Sequence, residues 1–164
     1  MQFLKPSILT LLLLTLLAGC GTSSKKSKSS SNPGMNVSYS DLKVNADSDS
    51  MEAGALKTVY FPFNSSDLRE RSRLHLDNNV EFLKKFDKLK VQIEGHCDER
   101  GSVQYNLALG EKRSKAIKNY LIASGIESNR ITTVSFGKER PISLEHSENS
   151  WAKNRRGNFV IIAK

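Results

Sequence analysis

From Gly21 to about Gly54 the chain consists of Ser, Lys, Asn, Asp and Gly with apolar residues thinly spread. A stretch of that kind buries too little surface to offset its own ordering entropy. Residues 20–54 therefore read as a flexible linker, roughly 30 Å from end to end as a coil and roughly 110 Å when stretched. The fold is thereby confined to residues 55–164, enough for one domain and too few for a multidomain enzyme. Across the whole chain 38% of the 164 residues are hydrophobic, and a formal net charge of +8 favours an anionic or zwitterionic partner without naming one. Two cysteines cannot make a disulfide framework, and no Cys or His spacing suggests a metal site.

The chain opens with a positive charge at Lys5 and an apolar run, Ile8 to Ala18, interrupted only by two threonines. The run is too short to cross a hydrocarbon core of roughly 30 Å, so residues 1–19 read as a signal peptide. It ends in Leu17-Ala18-Gly19-Cys20, which resembles the lipobox of bacterial lipoproteins. That resemblance implies cleavage before Cys20, lipidation of its thiol and, with Gly21 next in place of aspartate, sorting to the outer membrane. Several acyl chains on one cysteine would hold the chain there almost permanently. Lys25, Lys26 and Lys28 read as solubilising charge in the linker rather than as headgroup contacts.

Beyond Gly54 strand and helix periods alternate. Leu56 to Phe63 reads as a strand, and Ser65, Ser66 and Asp67 offer caps for a helix to about Lys85 with Leu76, Val80 and Leu83 on one face. Lys90 to Gly95 is a second strand, and the polar loop His96 to Ser102 leads into a helix from about Val103 to Ser124, closed by Gly125. Ile131 to Phe136 and Phe159 to Ala163 complete the pattern, with Pro141 in the long connection between them. The order β-α-β-α-β-β predicts an α+β domain with a mixed four-stranded sheet and helices packed on it.

On the second helix Asn106, Leu109, Arg113, Ala116, Ile117 and Tyr120 share one stripe, with Arg113 at its centre. An arginine at an apolar position either pairs with a carboxylate such as Glu94 or faces a cleft, since an isolated buried charge is costly. Asp98 lies in the loop at the carboxyl end of the second strand, a usual place for a ligand crevice. Asp98 and Arg113 together suit a zwitterion, the guanidinium taking a carboxylate and Asp98 accepting from an ammonium; helix capping by Asp98 is the equal alternative. If Arg113 faces a ligand, leucine in its place spares the fold. Cys97 reads as an inert buried thiol, His75 and His146 as surface histidines, and Arg155 with Arg156 as sheet-edge ion pairs rather than a polyanion site.

The segment from Glu94-Gly-His-Cys-Asp-Glu-Arg-Gly to Leu109-Gly-Glu-Lys-Arg113, with Tyr60-Phe-Pro-Phe-Asn64 before it and Trp151-Ala-Lys-Asn-Arg-Arg156 after it, closely resembles the peptidoglycan-associated lipoproteins, a group of the outer-membrane-protein-A-like domains. The resemblance covers about residues 55–164. It implies a lipid-anchored outer-membrane protein on the periplasmic side that binds the meso-diaminopimelate stem peptide of peptidoglycan without catalysis. It implies the Tol envelope-constriction proteins, TolA and TolB, as partners, and neither a cofactor nor nucleic acid. The ligand contacts it implies fall on Phe63, Asn64, Asp98, Leu109 and Arg113, with Tyr105 and Asn106 shaping the crevice. Three positions depart from the pattern: Asn64 stands where relatives usually carry aspartate, Pro62 where a small or acidic residue is common, and Cys97 where many have threonine. A periplasmic scaffold with a weakened wall site and a cell-wall enzyme are the rival readings.

Overall fold

A computed structural model describes residues 37–164. The signal peptide, Cys20 and the first part of the linker lie outside the described residues. Besides two short 3-10 turns, four strands and three α-helices follow in order among these residues: β1 (Val59–Tyr60), α1 (Glu70–Lys85), β2 (Lys90–His96), α2 (Val103–Ala123), β3 (Ile131–Gly137), α3 (Glu148–Asn154) and β4 (Arg156–Ala163). The four strands form one mixed sheet in the order β1-β4-β2-β3, with β2 parallel to β3 and β4 antiparallel to both β1 and β2.

The period-2 and period-3.6 patterns decide the core. Val91 and Ile93 of β2 and Phe159 and Ile161 of β4 are buried together with Leu76, Val80 and Leu83 of α1 and Ile117 and Leu121 of α2. A Cβ on Gly95 would lie 1.9 Å from the Gly110 carbonyl oxygen, so β2 and α2 cross at backbone contact. This crossing fixes α2 against the end of β2, which places the 96–101 loop beside Asn106, Leu109 and Arg113. Ser102 caps α2, its hydroxyl accepting from the Tyr105 N–H at 3.1 Å, and Gly125 at φ +94° ends the turn after Ala123.

Four local expectations change. The strand read over 56–63 shrinks to two residues because Pro62 brings no N–H and Asn64 adopts φ +52°, so the chain turns away from the sheet. Helix α1 begins only at Glu70, with Arg69 as its N-cap and no side-chain cap; Ser65 instead accepts the Asp67 N–H at 2.9 Å in a local turn. β4 starts at Arg156, three residues before the expected Phe159. The connection around Pro141 also contains α3, seven residues capped by the Ser147 hydroxyl, which short length hid from a periodicity reading.

Residues 37–54, expected to belong to the linker, are part of the fold. Leu42, Ala46 and Ala53 are buried in the core. The backbone pairs with β4 where β1 has ended: Asn45 N–H donates to Ile161 O (2.8 Å), Ile161 N–H to Ala46 O (3.0 Å) and Ser48 N–H to Phe159 O (2.9 Å). The Ser48 hydroxyl then donates to the Asn158 side chain at 2.9 Å, and Asp49 takes the Arg156 Nε at 2.7 Å. The folded domain thus includes this strap as well as the expected 55–164.

Candidate functional site

A cleft of about 170 Å³ opens where the 61–64 turn, the 96–101 loop, the first half of α2 and the end of α3 meet. Phe63 and Asn64 enter from the turn, Asp98 from the loop, and Tyr105, Asn106, Leu109 and Arg113 from α2. All seven residues singled out from the sequence therefore line one space, although they come from three separate segments. The structure adds Arg100, Gly101, Cys97 and Arg155 to the walls.

Arg113 is fully buried. Its Nη1 donates to His96 O at 2.7 Å, Nε to Ser65 O at 2.9 Å and Nη2 to Pro62 O at 3.0 Å. No Glu94 pair forms; that carboxylate accepts from the Asn158 side chain at 3.1 Å and lies 3.4 Å from the His96 ring. The guanidinium therefore ties the 61–65 turn to the end of β2 and presents its charge at the cleft floor. These bonds argue against the expectation that leucine there spares the fold, because the carbonyls would lose their donors.

Asp98 is not an open acceptor. Arg100 grips it in two-toothed fashion, Nη2 to Oδ2 at 2.6 Å and Nε to Oδ1 at 3.2 Å, and the Arg100 N–H adds a bond at 3.1 Å. Arg155 donates to Oδ2 at 3.1 Å and to Glu148 at 2.6 Å. Burial pushes the Asp98 carboxyl up, but the Arg100 and Arg155 hydrogen bonds outweigh it and hold the group below the usual carboxylate range. Helix capping, the alternative for Asp98, falls to Ser102.

Arg100 itself lies between two rings, 3.9 Å from the Phe63 centroid and 4.1 Å from that of Trp151. Trp151 is aimed by its indole N–H, which donates to Glu99 at 2.7 Å, and Lys138 holds the same loop through Glu99 O and Gly101 O. Missing α3 in the sequence meant missing Trp151 and Arg155 as parts of this site. A two-residue offset between Asp98 and Arg100 was the signal available for the latter.

Asn64 accepts a hydrogen bond from the Tyr105 hydroxyl, and its positive φ suits asparagine or aspartate better than most side chains. The departure at Asn64 thus keeps the acceptor and the backbone geometry. Cys97 is buried with its thiol donating to Asn106 O at 3.4 Å, and burial raises its pKa, which fits the inert reading. Arg155 and Arg156 are buried ion-pair partners rather than a surface for polyanions. Among the described residues no cluster of three His, Cys, Asp or Glu side chains is placed to hold a metal. Of the three guanidiniums lining the cleft, Arg100 and Arg155 pair with Asp98 and with Glu148 just outside it, whereas Arg113 donates only to backbone carbonyls, which leaves one positive charge without a carboxylate.

Residues 60–155 match the OmpA family. The chain is 39% identical over 164 residues to the peptidoglycan-associated lipoprotein of Pseudomonas aeruginosa, covering 95% of this chain and 97% of the relative. It is 38% identical over 143 residues to that of Pasteurella multocida, covering 87% and 88%. Among solved structures it superposes on the peptidoglycan-associated lipoprotein from Burkholderia pseudomallei with a TM-score of 0.61 at 39% identity, over 63% of this chain and 88% of that one. The chain belongs to the OmpA family, among its peptidoglycan-associated lipoproteins.

Proposed function

We propose that this protein is an outer-membrane lipoprotein, anchored on the periplasmic side by acyl chains on Cys20, whose domain holds peptidoglycan non-covalently through the meso-diaminopimelate of the stem peptide. Tol proteins are its proposed partners in the envelope. The carrying observation is the convergence of Phe63, Asn64, Asp98, Leu109 and Arg113 on one cleft with a single excess positive charge. A ligand carboxylate is drawn to the floor formed by Arg113. The zwitterion's ammonium takes the place that Arg100 holds on Asp98, and Arg100 leaves its Phe63–Trp151 stack to let it in. Membership of the family and the lipobox support the lipid anchor and the Tol partnership.

Sedimentation of the detergent-solubilised full chain with purified sacculi tests the reading. Diaminopimelate-containing sacculi should carry the chain down, and free meso-diaminopimelate should release it. Sacculi whose diaminopimelate is amidated should bind weakly, because the amide offers no full carboxylate. Equal binding to lysine-type sacculi would sink the proposal.

A further inference from the structure

A second groove, of about 410 Å³, lies on the other side of the Phe61–Phe63 turn. Its floor is apolar, made by Tyr60, Phe61, Pro62 and Ala152, and its rim carries Arg69, Arg71 and Lys153. No carboxylate lines it. All three rim cations are exposed, and among the described residues none of them forms an ion pair. The cleft differs in that Arg100 and Arg155 are already neutralised by Asp98 and Glu148. Three free cations over an apolar floor are suited to carboxylates carried on a backbone with small apolar side chains.

We propose that this groove is a second subsite for the same ligand, taking the further carboxylates of an acidic peptide whose diaminopimelate sits in the cleft. The inference rests on the reading under Proposed function. The two sites share a wall: Arg155 lines both, and consecutive residues Pro62 and Phe63 line one each. A wall stem peptide carries alanine methyls and, next to diaminopimelate, a D-glutamate carboxylate. The γ-linkage leaves the α-carboxylate of D-glutamate free, one short aliphatic arm from the amide that joins it to diaminopimelate, so a ligand fixed in the cleft delivers that carboxylate to the adjoining rim. Affinity gained there is Coulombic and falls with added salt.

Titration calorimetry of the full chain in detergent, with free meso-diaminopimelate and with the tripeptide L-Ala-γ-D-Glu-meso-diaminopimelate as probes, tests this. In the triple variant Arg69→Gln, Arg71→Gln, Lys153→Gln the tripeptide Kd should rise about ten-fold, as expected for a few exposed charge contacts, while the diaminopimelate Kd stays unchanged. Tripeptide binding by the parent should weaken more with salt than binding of the free amino acid. Equal Kd values for the tripeptide in parent and variant overturn the inference, as does an equal weakening of both probes, which would mean that the variant disturbs the cleft. Loss of adhesion to anionic phosphatidylglycerol vesicles with tripeptide affinity intact would assign the groove to a membrane and also overturn it. A parent that binds neither probe refutes the reading under Proposed function instead.

Discussion

Residues 37–54 and the 96–101 loop are both polar in sequence, yet the domain uses them in opposite ways. The strap contributes a few apolar side chains, Leu42, Ala46 and Ala53, and backbone bonds to β4 that supply partners where β1 ends. Its stability is spread along the chain and depends on backbone polar groups being paired. In the loop, stability is concentrated in side chains: Asp98 accepts from two arginines, and Arg113 ties the loop to the 61–65 turn. Polarity in sequence therefore marks neither disorder nor function; what separates the two segments is that the strap is seated mainly by apolar burial and backbone pairing with β4, the loop mainly by arginine and lysine side chains from other segments.

The largest effect should come from breaking the strap. Leu42→Ala removes a buried side chain and should cost about 3 kcal/mol, within the ~2–5 kcal/mol seen for core leucines, and removing residues 37–54 altogether should cost more. Urea unfolding of the detergent-solubilised chain measures it. A midpoint unchanged by the deletion would return these residues to the status of a linker and dissolve the contrast with the loop.

Arg113→Leu sharpens the other side of the comparison. Leucine fits the apolar stripe, but the His96, Ser65 and Pro62 carbonyls lose their donors, the first of them buried. At ~1–3 kcal/mol for a buried unsatisfied group and less for the two that water reaches, the loss should total about 3 kcal/mol. Arg113→Lys keeps the charge and one bond and should lose less. Leucine that stabilises the domain would show Arg113 to be held for the ligand alone.

The sequence made some of this legible for physical reasons and hid the rest for others. Long periodic elements such as α2 and β2 were readable because burial imposes their period, and Arg113 stood out because it broke one. Asp98 was readable from its place after a strand. The place of Arg155 and Trp151 beside the cleft, and the strap, were not, because α3 is only two turns long and the strap buries a residue here and there. The state of Asp98 was hidden too: that Arg100 occupies it follows from a loop conformation, fixed by Lys138 and Trp151 from distant parts of the chain.

The smallest effect is electrostatic, and it separates charge from hydrogen bonding within the loop. Asp98 titrates below the usual range when folded, whereas the unfolded carboxyl has a pKa of about 3.9. Its ionised form therefore stabilises the folded domain above about pH 5, and that contribution fades as pH falls below ~4 and through the folded pKa, because the unfolded chain takes up the proton first. Asn at position 98 keeps a hydrogen-bond acceptor without the charge. The difference in stability between the parent and Asp98→Asn should thus be widest near neutrality and narrow steadily in acid, as read from urea midpoints across a pH series. His96 is also buried with a lowered pKa and weakens the fold as pH drops below ~6.5, but it is present in both proteins and cancels from the difference. A gap that stays constant from pH 7 to pH 3 would mean that Arg100 and Arg155 need only an acceptor at Asp98, and that the charge there is kept for the ammonium of a ligand.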